Sequence, residues 1–338
     1  MNRERILEEL STCKRPLFFF DDDADGLSSF LLLYDYIKEG QGVCVKTNPL
    51  DDRLLNKVES YDPDKVFILD IPSVEEDFLS KIKVPVIWID HHMNSIESKK
   101  AIVHNPKKEN PEDTRPTSQL CYELVGGKLW VAMTGIVADW VYDKDLVKKF
   151  RRAYHDLLPS TVRTPSKAMF ESKIGEMGKI FNFLLKGQTK DVKKNINVLT
   201  RIKDPYEILN QTTSQGKFLY KQYKTLSKSY DDLLKSAESK IGKDKFLIFK
   251  YKTNTSITSQ LSNELLYKYP NKIILVLRDQ NGYYKGSLRS GKDIDVRSAL
   301  EKALSGVEGH GGGHKNACGL GIKKECWETF IDALRKEL

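Results

Sequence analysis

The stretch that decides the fold is LFFFDDDADGLSS, residues 17–29. Its apolar first half suits a buried strand, and the strand ends in four acids within five residues, namely Asp21, Asp22, Asp23 and Asp25. Like charges at such short range repel one another, so carboxylates gathered at the end of a buried strand need a positive partner. A hard divalent cation is the simplest partner of this kind. A solvated acidic turn is the alternative if the stretch is considered alone.

Strand-like and helix-like runs alternate through the following sequence. Strands are predicted at residues 16–20, 43–46, 66–69, 84–89 and 101–103, and helices at 27–38, 51–60, 74–82, 119–124 and 129–141. This alternation predicts βαβ units in a parallel sheet. Sites in such sheets gather beyond the carboxyl ends of the strands. Three of the predicted strands end in acids, which are Asp21, Asp70 and Asp90.

The second half of the chain predicts two further regions. Between residues 144 and 242, lysines and arginines alternate with acids and leucines, which predicts a helical connector with one long helix or a helix pair over residues 213–239. Its charge run suits either a solvated helix face or a nucleic-acid track. A second α/β pattern begins at residue 245, with a hairpin at Asn281-Gly282 and a glycine-rich loop at residues 306–313. We therefore expect domains at residues 1–150, 151–242 and 243–338.

The composition is that of a soluble protein with sizeable cores. The chain has 338 residues, of which 40% are hydrophobic and 30% are charged, and this length suits two domains, or one large domain with an insertion. The net charge of +8 suits a polyanionic partner, and equally a lysine-rich solvated surface. The polar opening segment does not resemble a signal peptide, and no apolar run approaches the roughly 20 residues that span a bilayer. The five cysteines are scattered without a CxxC pair. These features predict a reduced, cytoplasmic protein.

Several acids and one histidine together predict a metal centre. Alternate residues of an extended segment point the same way, so Asp21, Asp23 and Asp25 can share a face. Asp70 could bridge two ions, His91 adds a nitrogen ligand, and Asp139 closes the second site. Two ions about 4 Å apart with such ligands suit Mn²⁺, and Mg²⁺ less well because a histidine takes part. Singly, each residue has another explanation: a turn at Asp70, a helix end at Asp139, and a core pair at His91-His92.

The glycine-rich segment near the carboxyl terminus predicts an anion site. Gly311, Gly312 and Gly313 precede His314 and leave their backbone N–H groups free of Cβ atoms, as in a phosphate-binding nest. Upstream, Ser287 and Arg289 are separated by one residue and so point to one face of a strand, where they could hold a second phosphate. An ordinary flexible loop beside a surface strand is the alternative.

In this order, the motifs resemble those of the DHH family of phosphoesterases, in the compact archaeal form of its RecJ-like branch. Residues 21–26 (DDDADG) resemble the first motif, Asp70 the second, residues 90–92 (DHH) the triplet that names the family, and Asp139 the fourth. Residues 287–290 (SLRS) and 312–319 (GGHKNACG) are similar to two motifs of the DHH-associated C-terminal domain. Phe19 stands where the pyrophosphatase-type and nanoRNase-type relatives carry a histidine, which favours the RecJ-like branch.

The resemblance implies a fold, a cofactor and a set of roles. It implies an α/β fold with an N-terminal parallel-sheet DHH domain, a helical connector and a smaller C-terminal α/β domain, with the substrate strand between the lobes. It also implies a phosphodiesterase that uses two Mn²⁺ ions. By position, the metal ligands would be Asp21, Asp23, Asp25, Asp70, His91 and Asp139. Asp90 would support the site, and His92 would contact the scissile phosphate or the leaving group. Ser287, Arg289, Gly313 and His314 would hold the substrate's backbone or end.

Three functions are compatible with these motifs. The first is an exonuclease on single-stranded DNA or RNA that releases nucleoside 5′-monophosphates. The second is a phosphodiesterase (a nanoRNase, for example) for very short oligonucleotides or cyclic dinucleotides. The third is a binding subunit of a replication or repair assembly, in which nuclease activity is incidental. The motifs specify neither the polarity of digestion nor the choice between DNA and RNA, since that choice depends on contacts near the 2′-position.

Overall fold

The aromatic run of residues 17–20 forms part of a parallel sheet in the N-terminal half of the chain. The computed structural model describes residues 3–93, 98–291 and 293–338. The sheet has the strand order β2-β1-β3-β4-β5, and every pair of neighbours is parallel. Its strands are β1 (Pro16–Asp21), β2 (Gln41–Val45), β3 (Lys65–Leu69), β4 (Val86–Ile89) and β5 (Ala101–His104).

Helices follow most of these strands and cover the sheet. In this part of the chain they are α1 (Arg3–Thr12), α2 (Ala24–Ile37), α3 (Leu55–Tyr61), α4 (Glu76–Lys81), α5 (Thr117–Val125) and α6 (Leu129–Ala138). A 3₁₀ turn, Asp52–Leu54, precedes α3. The ring of Phe20 stacks on Phe30 of α2 with centroids 5.1 Å apart, and Phe18 stacks on Phe67 of β3 at 5.0 Å. These fully buried rings fix β1 in the core of the sheet.

The predicted connector is helical, as expected. It contains α7 (Lys144–Ala153), α8 (Pro165–Glu171), α9 (Lys173–Leu184), α10 (Thr189–Leu199), α11 (Tyr206–Leu209) and α12 (Ser214–Glu238). The region predicted as one long helix or a pair is the single helix α12, of 25 residues. The backbone divides into two compact units, Met1–Tyr223 and Lys224–Leu338, so the boundary falls within α12. The division into three domains stays a prediction.

The second unit contains a mixed sheet with the strand order β6-β7-β8-β10-β9. Its strands are β6 (Phe246–Tyr251), β7 (Ile273–Gln280), β8 (Tyr283–Arg289), β9 (Gly309–His314) and β10 (Ala317–Lys323). Its remaining helices are α13 (Thr258–Lys268), α14 (Val296–Ala303) and α15 (Trp327–Glu337). Strands β7 and β8 form the hairpin that was predicted from Asn281-Gly282, and both turn residues have positive φ angles, 49° and 81°. The predicted α/β fold with a second, smaller α/β domain is therefore confirmed.

One prediction about local structure is wrong. Residues 306–313 are predicted as a glycine-rich loop, but Gly309–His314 forms β9 and pairs antiparallel with β10. The partner strand β10 supplies the hydrogen bonds that hold these residues extended, which glycine propensity alone does not indicate. No helix in the described part of the chain is both long and apolar enough to cross a bilayer.

Candidate metal centre

The corner between β1 and α2 places the first acids of the centre. Asp21 is the last residue of β1, and Asp23 caps α2 by accepting a hydrogen bond from the Gly26 N–H at 2.9 Å. A Cβ on Gly26 would lie 2.7 Å from the backbone nitrogen of Asp21 and 2.8 Å from its carbonyl oxygen. The glycine is therefore required by the close approach of the helix to the strand end.

Asp70 lies at the centre of the site. It follows β3, its side chain is buried, and its backbone has a φ of 61°. Two groups of side chains have ligand atoms within 4.8 Å of one another, Asp21 with Asp23 and Asp70, and Asp70 with His91 and His92. Asp70 belongs to both groups, which is the arrangement a carboxylate needs to bridge two ions.

His91 lies between two carboxylates. Its Nε2 is 3.5 Å from Asp70 Oδ1, and its Nδ1 is 3.8 Å from Asp139 Oδ2. Asp139 caps the carboxyl end of α6, and its side chain is about one-third exposed. The imidazole thus connects the acid at the end of β3 with the acid at the end of α6.

Asp25 lies outside both groups in this structure. Its carboxylate accepts hydrogen bonds from the backbone N–H groups of Thr117 at 2.8 Å and Ser118 at 3.1 Å, the first two residues of α5. Asp25 therefore caps α5 from a distance, in a position where the helix dipole favours a negative charge. Its role as a metal ligand stays a prediction.

Asp90 and His92 form a hydrogen-bonded pair. The fully buried carboxylate of Asp90 accepts hydrogen bonds from His92 Nδ1 at 2.7 Å and from the His92 backbone N–H at 2.9 Å. Asn105 Nδ2 donates to the His92 carbonyl at 2.9 Å and to Asp90 at 3.3 Å. Since Nδ1 is engaged, Nε2 is the ring atom left to face a ligand.

The acids of the centre repel one another and shift one another's titration. Burial and then the charge of Asp23 raise the pKa of Asp21 to about 8 and that of Asp25 to about 6. Burial and the charge of Asp25 raise the pKa values of Asp70 and Asp139 well above their usual range. Burial lowers the pKa of His92, but the hydrogen bond to Asp90 and the charges of Asp90 and Asp139 outweigh it and raise this pKa to about 9.

The donor set fits a pair of divalent cations. Carboxylate oxygens and one or two imidazole nitrogens lie close together, and the ionised carboxylates are costly without a positive charge between them. Oxygen ligands with imidazole are compatible with Mn²⁺. Metal ions there would be held by Asp21, Asp23, Asp70, His91 and Asp139.

Several residues that support the centre were not predicted from sequence. Asn182 Oδ1 accepts from the Ala24 N–H at 3.0 Å, and Lys186 Nζ contacts Asp22 at both its carbonyl (3.0 Å) and its carboxylate (2.8 Å). Asp22 is therefore paired with a cation of its own, whereas Asp21 and Asp23 belong to one group of ligand atoms with Asp70. Asn182 is the last but two residue of α9 and Lys186 follows that helix. Neither carries a local sequence signal, since their partners lie more than 150 positions away.

Thr117 also contacts the centre through its side chain. The structure starts α5 at Thr117, whose hydroxyl donates to Asp70 Oδ1 at 2.9 Å. The N-terminus of α5 therefore holds two acids, Asp25 through backbone N–H groups and Asp70 through a side chain.

In the second unit, the sheet register aligns the predicted substrate-binding residues. Ser287 pairs with Gly319, which pairs with Gly312, and Arg289 pairs with Ala317, which pairs with His314. Residues directly opposite in antiparallel strands share a face, and so do alternate residues. Ser287, Arg289, Gly312 and His314 therefore lie on one face, with only a methyl group and glycines between them.

Arg289 is held rigidly on this face. Its guanidinium donates to Asn263 Oδ1 at 2.8 Å, to the Cys318 carbonyl at 2.9 Å and to Ser259 Oγ at 3.1 Å. Burial lowers its pKa to about 10. Gly313 lies in the alternate register, opposite Cys318, with a φ of 147°, and a Cβ there would lie 2.4 Å from the Ala317 carbonyl oxygen.

Comparisons with solved structures show a shared fold. The chain superimposes on RecJ of Thermus thermophilus in complex with Mn²⁺ with a TM-score of 0.72 and 18% identity, covering 99% of this chain and 54% of that one. It thus spans about half of that RecJ. A second match is exonuclease RecJ bound to manganese, with a TM-score of 0.57, 18% identity, and 99% and 93% of the two chains covered. A third is the pGpG-specific phosphodiesterase PggH of Vibrio cholerae, with a TM-score of 0.52, 13% identity, and 96% and 100% covered.

Comparisons with sequences define the family. A search of curated proteins finds no match. The model of the DHH family N-terminal domain matches residues 17–148, which contain every residue of the candidate metal centre. The model of the DHHA1 domain matches residues 243–338, which contain the aligned face of Ser287, Arg289 and His314. The chain therefore combines these two domains on a RecJ-like fold, and it belongs to the DHH family of phosphoesterases.

Proposed function

We propose that this phosphoesterase is an exonuclease for single-stranded nucleic acid that uses two Mn²⁺ ions, or Mg²⁺ in their place, and releases nucleoside 5′-monophosphates. The observation that carries the proposal is the position of Asp70, whose carboxylate lies within 4.8 Å of ligand atoms of Asp21 and Asp23 in one group and of His91 in the other. Divalent ions held by these residues would supply an activated water as the nucleophile and would stabilise the charge on the phosphoryl oxygens.

His92 acts as the positively charged group beside the leaving oxygen of the phosphodiester. In the metal-free protein the Asp90 hydrogen bond and the charges of Asp90 and Asp139 outweigh burial and raise the His92 pKa to about 9, which favours a protonated ring, and the hydrogen bond leaves Nε2 to donate to the scissile phosphate or the departing oxygen. Asp90 acts by holding the ring, since its carboxylate is buried and engaged by His92 and Asn105. Asp25 contributes as a further ligand or through its hold on α5.

The aligned face of the second unit binds the strand's phosphates. Arg289 supplies the positive charge, and Ser287 and His314 supply further donors on the same face. Gly312 and Gly313 keep the outer strand free of side chains that would hold a phosphate away from the backbone. A fixed guanidinium suits this task, because little rotamer freedom remains to be lost on binding.

The test is hydrolysis of end-labelled single-stranded DNA and RNA, from dinucleotides to long strands, with Mn²⁺. We expect shortening of the strands to mononucleotides, and a loss of at least ~100-fold in Asp70→Asn and His91→Ala, while Asp77→Asn, an exposed acid on α4, keeps full activity. Full activity of Asp70→Asn would refute the two-metal site. A strong preference for dinucleotides would identify a short-oligonucleotide phosphodiesterase. A co-purifying partner with no hydrolysis would identify a binding subunit.

A further inference from the structure

A cavity of about 380 Å³ opens beside the edge strand β2, and its lining contains none of the candidate metal ligands. Its walls are β2 with the two residues that follow it, the 3₁₀ turn with α3, and α10. We call it the β2 pocket. Its volume lies in the range of small-ligand sites, roughly 300–1,000 Å³.

The lining of the β2 pocket combines an apolar wall with a cationic rim. Val43, Leu54, Val192 and Ile196 supply apolar surface. Four cations also line it, and no acid does, within the described part of the chain; the cations are Lys46, Arg53, Lys57 and Lys193.

The cations of the rim are only partly compensated. Arg53 is paired with Asp51, at 2.5 Å between Nη2 and Oδ2. Lys46 contacts the Gly187 carbonyl at 3.3 Å, and Lys193 contacts the side-chain oxygen of Gln41 at 3.5 Å, so both meet neutral oxygens. The pocket therefore keeps a net positive charge, which selects an anionic ligand.

The edge of β2 adds polar recognition groups. Within the described chain β2 pairs with β1 alone, so the peptide groups on its other edge take part in no sheet. Residues 41–44, which form most of the strand, line the pocket in succession. Alternating N–H and C=O groups along such an edge can pair with the donors and acceptors of a planar heterocycle.

We propose that the β2 pocket binds a nucleoside phosphate, with the base between the apolar wall and the β2 edge and the phosphate at the lysine rim. The apolar wall suits the base, and the cationic rim suits the phosphate. Inorganic phosphate would leave the apolar wall unused, and an apolar molecule would leave the cations without a partner.

The pocket adjoins the metal centre through two contacts. Val45, the last residue of β2, pairs with Asp21, and Lys46 follows it directly. Cys44, which lines the pocket, has its Sγ 3.5 Å from Asp22 Oδ1. The nucleotide has two sources, a free mononucleotide or one unit of a strand held at the metal centre, and the second source rests on the proposed function.

The first experiment uses the full-length protein without metal. AMP and dAMP are titrated calorimetrically into the wild type, the double variant Lys57→Gln/Lys193→Gln, and the control Lys83→Gln/Lys148→Gln. The control removes the same charge from exposed positions on the same unit, outside the pocket. We expect about tenfold weaker binding in the pocket variant and none of this loss in the control. Equal competition by inorganic phosphate and by AMP would overturn the assignment of the base to the apolar wall.

The second experiment distinguishes the sources. In Mn²⁺-dependent hydrolysis of single strands, a strand-borne nucleotide predicts a higher KM with unchanged kcat in the pocket variant, while a free nucleotide predicts an unchanged KM. Unchanged AMP binding together with an unchanged KM would refute the pocket. If the protein hydrolyses nothing, the proposed function fails, whereas the metal-free titration still decides the pocket.

Discussion

His92 and Asp90 predict a pH effect that belongs to single residues. The pKa of His92 is raised to about 9, against the lowering by burial, because the Asp90 carboxylate accepts a hydrogen bond from Nδ1 of the protonated ring. Asp90→Asn removes that charge, so the His92 pKa falls. We expect the titration of the His92 ring, followed by NMR in the metal-free protein, to move downward from about 9.

Function should follow the same shift. If protonated His92 serves the leaving group, activity is lost as pH rises through the pKa of His92, and Asp90→Asn moves that loss to lower pH. His104, whose pKa burial lowers, is the internal control, and its titration should stay where it is. An unmoved His92 resonance would contradict the assigned role of Asp90.

The raised carboxyl pKa values predict competition between protons and Mn²⁺. Asp21, with a pKa of about 8 in the metal-free protein, is largely protonated at pH 6 and must lose its proton to bind metal. Mn²⁺ affinity should therefore rise between pH 6 and pH 8.5, with protons released on binding. Calorimetry in buffers of different ionisation enthalpy measures both quantities.

A matched variant tests the source of that proton. Asp21→Asn binds Mn²⁺ more weakly and should show a flatter pH dependence, because one of the acids with a raised pKa is gone. A pH-independent affinity in the wild type would show that the acids of the centre are already ionised at pH 6.

At the scale of elements, α9 and the residues after it hold the acidic corner from outside. Asn182 accepts from the Ala24 N–H, and Lys186 binds Asp22 through two oxygens, so both fix the backbone that carries Asp21 and Asp23. We expect Lys186→Met and Asn182→Ala each to weaken Mn²⁺ affinity by about 10–100-fold, the range seen when groups that orient ligands are removed. Equilibrium dialysis with Mn²⁺ measures the loss without requiring turnover.

A conservative variant separates positioning from folding. Lys186→Arg can still donate to both oxygens of Asp22 and should restore most of the affinity, whereas Lys190→Met, four positions along the chain, should leave it unchanged. Weak binding in Lys186→Arg with unchanged thermal stability would show that charge and hydrogen bonding at Asp22 do not position the ligands.

The elements that sequence predicts well are those set by local pattern. The strands that end in Asp21 and Asp70 follow from short apolar runs, and the hairpin at Asn281-Gly282 from its turn chemistry. Strand β9 could not be predicted, because only the partner β10 makes six residues rich in glycine extended. The second role of Asp25 as a distant cap of α5 depends on a contact across about 90 residues, which no local pattern contains.

At the scale of the whole molecule, the predicted metal ligands all fall in one compact unit. They lie between Asp21 and Asp139, within Met1–Tyr223, while the aligned face with Arg289 lies in Lys224–Leu338. A ligand that binds only the folded state stabilises what it binds, by about 2.7 kcal/mol at a concentration 100 times its Kd. Mn²⁺ should therefore slow hydrogen exchange in β1, β3 and the start of α5, and leave β7 and β8 unchanged.

Hydrogen-exchange mass spectrometry measures this by peptide, with the Asp70→Asn protein as the control that should show no protection at either place. The helix α12 makes the outcome informative, because it continues across the boundary between the units. If the protection is confined to the first unit, the two units open independently, and the stabilisation by Mn²⁺ ends within α12. Equal protection of β7 and β8 would contradict the prediction. It would mean that the two units unfold together, because one unit can exchange through its own partial unfolding only if it opens separately from the other.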